Sequence, residues 1–299
     1  MLRILHFSDA HVQVPLWQMP LLSFLGKRAL GAANLRLRRG KYFRRSPEKL
    51  AKLLAFANAS KLDLAVFTGD CTALGTEPEY RAARSALDGF FRLPLGFFTV
   101  PGNHDLYLAD TLDERRFDRY FGDRLISDIP ELSVDGPWPV VRLTGDSVAL
   151  VAVNSAKPNP EPWRASGRLP PEQLQALARA LKHERLVNRF IFVVIHYGPR
   201  RNDGTPDTSL HGFENGEEFL HTCAGLRWGA IVHGHIHWHY HLKLESLDAP
   251  IFCSGSATFE GREGFWVYEV TEDRMKAFSG RWTGEQYEID PVAKVEIRR

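Results

Sequence analysis

Short apolar runs alternate with helical patterns along most of the chain, and this alternation restricts the fold more than any other feature of the sequence. Buried strands are predicted at 3–8, 62–68, 96–100, 148–154 and 189–195, and helices at 47–59, 77–91, 112–121 and 171–184. Further strands are predicted at 140–143, 229–233, 237–244, 250–254, 264–270 and 276–283. No internal repeat or flexible linker interrupts the pattern, so one α/β domain over residues 1–299 is the simplest prediction.

Polar side chains that can bind metal ions follow five of the predicted strands. They are Asp9 and His11, then Asp70, then Asn103, His104 and Asp105, then His196, and finally His235 and His237. Ligands of open α/β sheets bind beyond the carboxyl ends of strands, where these side chains can meet. Each segment alone has an ordinary explanation, a polar turn or a hydrogen-bonded core histidine. Their combination, in this order, predicts a metal site.

Residues 233–241, HGHIHWHYH, place a histidine at every second position. Alternate side chains of an extended strand point to the same face, so all five histidines could project one way. Neutral imidazole is the commonest metal ligand in proteins, although a solvated surface strand gives the same pattern. Of the five, His235 and His237 are predicted ligands and His233 a supporting residue. His239 and His241 are predicted to lie on a solvated strand.

The motif series D-x-H, G-D, G-N-H-D, H and G-H-x-H, from Asp9 to His237, resembles the calcineurin-like metallophosphoesterase family. The resemblance implies an α/β (α+β) fold, a four-layer αββα sandwich in which helices flank two mixed β-sheets. The segment from Gly167 to Leu174 is similar to an element of the bacterial phosphodiesterase-like branch. The chain departs from the family at Tyr197, where a second histidine is frequent, and at Asn154, where related phosphodiesterases often have aspartate.

The resemblance also implies a ligand set. One metal ion would be held by Asp9, His11 and His237, the other by Asn103, His196 and His235, and Asp70 would bridge both. A shared carboxylate relieves the repulsion between two cations about 3.5–4 Å apart, and a bridging hydroxide would attack phosphorus. His104 would be the general acid for the leaving oxygen and Asp105 the group that orients it. The alternatives are that His104 only supports the ligands and that Asp105 only stabilises its loop.

Carboxylate, carboxamide and imidazole ligands suit two divalent ions of manganese or iron, with zinc as a third candidate. The three cysteines, Cys71, Cys223 and Cys253, are far apart and form no thiolate motif, which favours a reducing compartment. The N-terminal sequence lacks the features of a signal peptide, and no apolar run reaches the roughly 20 residues that span a bilayer. A cytoplasmic protein is predicted.

An insertion at about 12–46 is not needed for the metal chemistry. It is apolar first and basic later, with eight basic residues between Lys27 and Arg45 and no acidic residue from Ala10 to Pro47. One interpretation is a cap over the metal site whose Arg and Lys side chains reach the substrate phosphate. Another is peripheral contact of residues 17–45 with the inner face of a membrane. A nucleic-acid patch is a third, which no groove-reading motif supports.

The sequence therefore predicts a phosphoesterase with a dinuclear metal centre that hydrolyses a phosphodiester or pyrophosphate bond. The substrate would be a phosphorylated small molecule or a lipid-linked compound. The enzymatic alternatives are a phosphomonoesterase, a protein phosphatase, and a lipid-linked nucleotide pyrophosphatase at the membrane surface. The non-enzymatic alternative is a catalytically silent interaction scaffold with the same fold.

Overall fold

A computed structural model describes the backbone of residues 1–299 and the side chains of all of these except residues 22 and 23. The α-helices are α1 (Gly26–Leu37), α2 (Ser46–Ala59), α3 (Glu77–Leu87), α4 (Ala109–Asp113), α5 (Arg116–Phe121), α6 (Pro171–Ala180) and α7 (Gly216–Cys223). Short 3-10 helices lie at Leu16–Gln18, Leu21–Phe24, Arg39–Phe43, Asp88–Arg92, Gly122–Arg124 and Pro130–Leu132. In the part of the chain that the structure describes, no helix has both the length and the apolar character needed to cross a bilayer.

The strands form two mixed sheets. They are β1 (Leu2–Phe7), β2 (Leu64–Phe67), β3 (Phe97–Thr99), β4 (Val140–Thr144), β5 (Val148–Ala152), β6 (Phe190–Val194), β7 (Gly229–His233), β8 (His239–Leu242), β9 (Ile251–Ser254), β10 (Gly264–Val270), β11 (Arg274–Trp282), β12 (Tyr287–Ile289) and β13 (Val295–Arg298). The first sheet has the order β12-β11-β10-β1-β2-β3, with β13 also paired to β11, and the second has the order β4-β5-β6-β7-β9-β8.

Parallel strands occupy one part of each sheet, β1 to β3 in the first and β5, β6, β7 and β9 in the second. Antiparallel strands extend the sheets beyond these sets, as β10 does beside β1 and β4 does beside β5. The carboxyl ends of parallel strands share one edge of a sheet, and this edge is where ligands bind in α/β proteins. The predicted site residues follow five of these strands, namely β1, β2, β3, β6 and β7.

The two sheets pack face to face through aromatic side chains. The ring centre of Tyr268 on β10 lies 5.0 Å from that of Phe192 on β6 and 5.3 Å from that of Phe252 on β9. Along β6, Phe192 joins the core between the sheets, whereas its neighbours Ile191 and Val193 join the core under α6 and α7. Burial on both faces explains why this strand is apolar throughout. With α2 and α3 packed on the first sheet, the predicted four-layer αββα sandwich is confirmed.

Three predicted helices have different limits in the structure. The helix predicted at 112–121 is two helices, α4 and α5, because Arg115 adopts a φ of 49° between them. This break turns Arg116 inwards, where its guanidinium donates to the carbonyl of Gly75 at 2.7 Å. The helix predicted at 77–91 continues beyond Leu87 as a 3-10 helix, and the helix predicted at 171–184 ends at Ala180.

The insertion is anchored to the body of the protein by one face of α1. Arg28 makes two hydrogen bonds of 2.8 Å to the carboxylate of Asp110 and a third, of 3.0 Å, to the carbonyl of Leu74. Leu35, two turns further along the same face, is buried in a small apolar cluster with Leu74 and Tyr107. Because Leu74 and Tyr107 follow β2 and β3, these contacts hold the insertion beside the carboxyl ends of the strands.

Candidate metal centre

The backbone at the strand ends is held in an unusual conformation. Five of the seven non-glycine residues with positive φ in the described chain are predicted site residues, namely Asp9 (54°), His11 (41°), Asp70 (60°), His235 (67°) and His237 (57°). Such residues are uncommon, and they cluster at functional sites because surrounding contacts must maintain them. Here the segments after β1 and β2 stay paired, with the amide of His11 donating to the carbonyl of Asp70 at 3.0 Å.

The first group of predicted ligands, Asp9, His11 and His237, lies in close contact. Nε2 of His237 is 2.9 Å from Oδ1 of Asp9 and 3.1 Å from Nε2 of His11. The carbonyl of Thr72 lies 3.1 Å from Nδ1 of His11, and because a carbonyl only accepts, this nitrogen carries the proton. The lone pair of Nε2 therefore points into the group. Burial, and then the charge of Arg39, lower the pKa of His11 to about 3, so its ring is neutral.

The second group of predicted ligands is Asn103, His196 and His235. Its side chains face one another through pairs of atoms in which both atoms are hydrogen-bond acceptors. His235 directs Nε2 to the carbonyl of His211 at 2.7 Å, which leaves the lone pair of Nδ1 facing Oδ1 of Asn103 at 3.0 Å. His196 likewise directs Nδ1 to the carbonyl of Thr68 at 2.6 Å and faces the same Asn103 oxygen with Nε2 at 3.1 Å. Lone pairs at such distances repel unless a cation lies among them, so these side chains suit a metal ion.

Asp70 lies between the two groups. Its Oδ2 is 3.6 Å from Nε2 of His11 and 3.5 Å from Nε2 of His196, so one carboxylate faces a histidine of each group. Its Oδ1 accepts a hydrogen bond of 2.7 Å from the backbone amide of His104. Burial and the nearby carboxylates of Asp9 and Asp105 raise the pKa of Asp70 well above its ordinary value. A cation on either side would relieve this repulsion between carboxylates.

The donor set therefore fits divalent metal ions. Ligand atoms of Asp9, His11, Asp70 and His237 all lie within 4.8 Å of one another. Asn103, His196 and His235 lie beside this set, so the structure places all seven residues named as ligands in one region. The set contains carboxylate, carboxamide and imidazole, and the three cysteines are buried and free. Such ligands suit manganese, iron or zinc without selecting strongly among them.

The ring of His104 lies at the edge of the first group and contacts the insertion. Its Nδ1 faces the carbonyl of Ala73, so this nitrogen carries the proton. Its Nε2 accepts a hydrogen bond of 2.8 Å from Arg39, whose other terminal nitrogen is 3.0 Å from Nε2 of His11. Burial and the charge of Arg39 lower the pKa of His104 well below its ordinary value. Arg39 thus brings a positive charge from the insertion to the metal ligands.

For Asp105, the structure agrees with the alternative that the residue stabilises its loop and not with the prediction that it orients His104. The carboxylate of Asp105 accepts hydrogen bonds from the backbone amides of Asp70 (2.8 Å), Gly102 (2.9 Å) and Thr72 (3.0 Å). The group that orients the His104 ring is the carbonyl of Ala73. Asp105 is therefore the residue that ties the loop after β2 to the loop after β3.

The strand predicted at 237–244 is present but shorter, because β8 covers only His239–Leu242. Between β7 and β8 the chain turns, and His235 and His237 reach their groups through left-handed backbone rather than through strand alternation. His233 is fully buried and donates from Nδ1 to the carbonyl of Gly234. His239 is half-buried and contacts Ser279 at 2.8 Å, so the predicted solvated strand holds only for the exposed His241.

A cavity of about 640 Å³ opens onto the two groups. Among its lining residues are Lys27, Asn34 and Arg39 from the insertion, and Trp163, Arg201 and Trp238 from other loops. The sequence predicted a basic cap but did not identify these residues individually. One signal was available for Arg39, which lies in a run of eight basic residues, yet nothing in that run distinguishes it from its neighbours.

A family model described as calcineurin-like phosphoesterase matches residues 2–239 of this chain. A protein named probable cyclic nucleotide phosphodiesterase, from Vesicomyosocius okutanii subsp. Calyptogena okutanii (strain HA), is 22% identical over 237 residues. The aligned region covers 78% of this chain and 88% of that protein. Both comparisons extend over most of the chain, and the range matched by the family model includes every predicted ligand.

Two solved structures are similar in fold. The crystal structure of a dimetal phosphatase from Danio rerio superposes with a TM-score of 0.62 at 15% identity and covers 92% of this chain and 95% of that one. A purple acid phosphatase from yellow lupin (Lupinus luteus) seeds gives a TM-score of 0.61 at 10% identity, covering 96% of this chain. This chain spans about half of the lupin protein, 52% of its length. At these identities the likeness concerns the fold alone.

The central place of Asp70 leads to a prediction about metal content. Asp70→Asn keeps the shape of the side chain but removes the charge that faces both groups, so the mean content should fall from about two bound ions to one or fewer. The measurement is elemental analysis of protein equilibrated with Mn²⁺ and then freed of unbound metal. Asp203→Asn, an exposed carboxylate of the cavity rim, is the matched control. Equal metal content in Asp70→Asn and wild type would contradict the ligand assignment.

Proposed function

The chain belongs to the calcineurin-like phosphoesterase family and is a phosphoester hydrolase, and from that premise we propose that it hydrolyses a phosphodiester or pyrophosphate bond at a centre of two metal ions. The observation that carries the choice of bond is the cavity of about 640 Å³, which is far larger than one phosphate group. Trp163 and Trp238 line this cavity, and their side chains are 65% and 52% exposed. Exposed indole rings suit a flat part of the substrate that extends beyond the phosphate.

The similar protein named probable cyclic nucleotide phosphodiesterase supports a small phosphodiester as the substrate class. We propose a nucleotide-sized molecule whose phosphate lies against the two ligand groups and whose second substituent lies in the remaining cavity. The cavity of about 640 Å³ has room for the second substituent that a diester carries and a monoester lacks. This room favours a diester over a monoester.

The proposed site residues have separate tasks. Asp9, His11 and His237 would hold one ion, Asn103, His196 and His235 would hold the other, and Asp70 would be shared between them. Two such ions supply Lewis-acid charge that lowers the pKa of a coordinated water and stabilises negative charge on the phosphoryl oxygens. Asp105 keeps Asp70 in place through the backbone amide of Asp70 itself.

The insertion acts as a cap in this proposal. Arg39 already donates to His11 and His104, so its guanidinium lies where a phosphate oxygen would arrive. Lys27, in the first turn of α1, donates to the carbonyls of Asn159 (2.7 Å) and Arg164 (2.8 Å). Burial lowers the pKa of Lys27 to about 8. Lys27 thereby holds the loop that contains Trp163 against α1, and this loop closes the cavity on that side.

His104 is the proposed proton donor to the leaving oxygen. Its Nε2 lies at the cavity and accepts a hydrogen bond from Arg39 while no phosphate is present. A bound phosphate attracts the guanidinium to itself and places its own negative charge beside the ring. Both changes favour the protonated imidazole, so His104 becomes an acid only when the substrate is in place.

The first experiment compares bis-p-nitrophenyl phosphate with p-nitrophenyl phosphate as substrates of the Mn²⁺-reconstituted protein. We expect kcat/KM to be higher for the diester because the cavity accommodates a second substituent. Asp70→Asn measures contaminating activity. A higher kcat/KM for the monoester would replace the diesterase proposal with a phosphatase, and absence of metal-dependent turnover on both would contradict hydrolysis of simple esters.

The cap is tested by Arg39→Ala, which removes the guanidinium facing the phosphate. We expect kcat/KM for the diester to fall about 100-fold, the usual cost of removing one donor to a developing oxyanion. The inhibition constant of inorganic phosphate should rise in parallel while metal content stays the same. Arg38→Ala changes an exposed neighbouring arginine and is the matched control. Equal kcat/KM in Arg39→Ala and Arg38→Ala would exclude Arg39 from phosphate binding.

The role of His104 is tested with aryl phosphodiesters whose leaving phenols differ in pKa. His104→Ala should slow esters of weakly acidic phenols about 100-fold, because these oxygens need a proton as they depart. Esters of p-nitrophenol should be affected far less, and metal content should not change. A uniform loss across the series would instead assign His104 to the support of the metal ligands.

A further inference from the structure

The surface of the insertion contains large apolar side chains that are mostly exposed to solvent. They are Trp17 (82% exposed), Leu21 (87%), Leu25 (66%), Leu30 (58%) and Leu37 (78%). Five such residues within 21 positions exceed the scattered apolar residues of an ordinary surface. We call these five residues the apolar patch. An exposed patch of this kind indicates an interaction site.

Helix α1 presents apolar side chains on two opposite faces. Arg28, Ala32 and Leu35 form the buried face. Leu30 and Leu37 are seven residues apart, nearly two turns, and at 3.6 residues per turn they point away from that face. The leucines are therefore not part of the contact that anchors the insertion. The helix has a second apolar stripe directed outwards, on the side of the molecule next to the cavity residues Lys27 and Asn34.

Unpaired positive charge borders the apolar patch. Arg36, Arg38, Lys41 and Arg44 are exposed, and the insertion contains no acidic residue that could pair with them. The other four basic residues are engaged elsewhere, Arg28 with Asp110, Arg45 with Glu48, and Arg39 and Lys27 at the cavity. The charge that remains is thus directed to solvent, where it suits an anionic partner.

A second cavity lies inside this surface. It has a volume of about 480 Å³, and its lining includes Val14, Leu16, Trp17 and Leu35 together with Arg36 and Arg44. Apolar walls with two guanidinium groups match a phospholipid, whose phosphate pairs with arginine and whose acyl chain contacts apolar side chains. A second copy of this chain would bring like charges together, and a nucleic acid would leave the leucines in water.

We propose that the insertion docks the protein onto an anionic phospholipid surface through the apolar patch and the four arginine and lysine residues beside it. Each exposed basic residue near an anionic membrane contributes about 1 kcal/mol, roughly a fivefold change in partition coefficient. The leucines and Trp17 enter the interfacial region, while α1 keeps the cavity with Arg39 beside the lipid headgroups. This docking is independent of which phosphoester is cleaved.

The test is co-sedimentation of the full chain with vesicles of phosphatidylcholine alone or mixed with phosphatidylglycerol. We expect binding to the anionic vesicles, little binding to phosphatidylcholine, and loss of binding at high salt. Arg36→Gln with Arg44→Gln should weaken binding roughly 25-fold. Arg227→Gln with Lys243→Gln, a pair of exposed basic residues elsewhere, should leave it unchanged. Unchanged hydrolysis of bis-p-nitrophenyl phosphate shows that the variants are folded.

A fluorescent label tests the orientation. The three native cysteines are buried, so Leu30→Cys provides one accessible thiol for an environment-sensitive dye, and Leu95→Cys, which replaces a leucine 41% exposed, provides the control. A blue shift with anionic vesicles at position 30 and none at position 95 supports the proposal. Absence of vesicle binding, or equal shifts at both positions, overturns it. Dimerisation lost on Leu30→Ser with Leu37→Ser, or binding to RNA without vesicle binding, would identify a different occupant and also overturn it.

Discussion

One buried carboxylate connects the strand ends on which the metal centre depends. Asp105 accepts hydrogen bonds from backbone amides of the loop after β2, at Asp70 and Thr72, and from Gly102 in the loop after β3. A buried charge is stable only when its hydrogen bonds are satisfied, so the two loops must keep their mutual position. Asp70 is thereby held in left-handed backbone between two sets of ligands. The backbone amide of His104, which donates to Oδ1 of Asp70, adds a further link between the same two loops.

The insertion then completes the electrostatics of the site. Without cations, the buried Asp9 and Asp70 carboxylates repel each other, and burial raises the pKa of Asp70 further. Arg39 partly offsets this negative charge from the side of the cavity, and it donates to the imidazole nitrogens of His11 and His104. A phosphate oxygen can take the place of these imidazoles as acceptor. The same guanidinium thus donates hydrogen bonds to the imidazoles before substrate binds and to the phosphate afterwards. It connects the cap to the proposed reaction centre in both states.

The layered fold could be predicted from the sequence because strand burial leaves a strong apolar signal, and β6 is apolar on both faces. The resemblance implied a ligand set, and the structure brings those side chains near one another because each motif follows a strand end. The sequence left two roles open for Asp105, since a carboxylate that satisfies backbone amides has the same sequence appearance as one that orients a neighbour. The left-handed backbone at His235 and His237 could not be predicted, because alternation of histidines mimics a strand. Nor could Arg39 be singled out, because its place beside His11 and His104 depends on the 3-10 helix that follows α1.

The contact between His237 and Asp9 joins residues 228 positions apart, and the register of β1 with β10 joins residues still further apart. Closing loops of this length costs chain entropy that only the assembled sheets repay, so such contacts form late. During synthesis, β1 cannot pair with β10 before residues 264–270 have been made. We therefore expect the side chains of Asp9 and His237 to meet only after the two sheets have assembled, so that any metal ion held between them would be acquired late in folding.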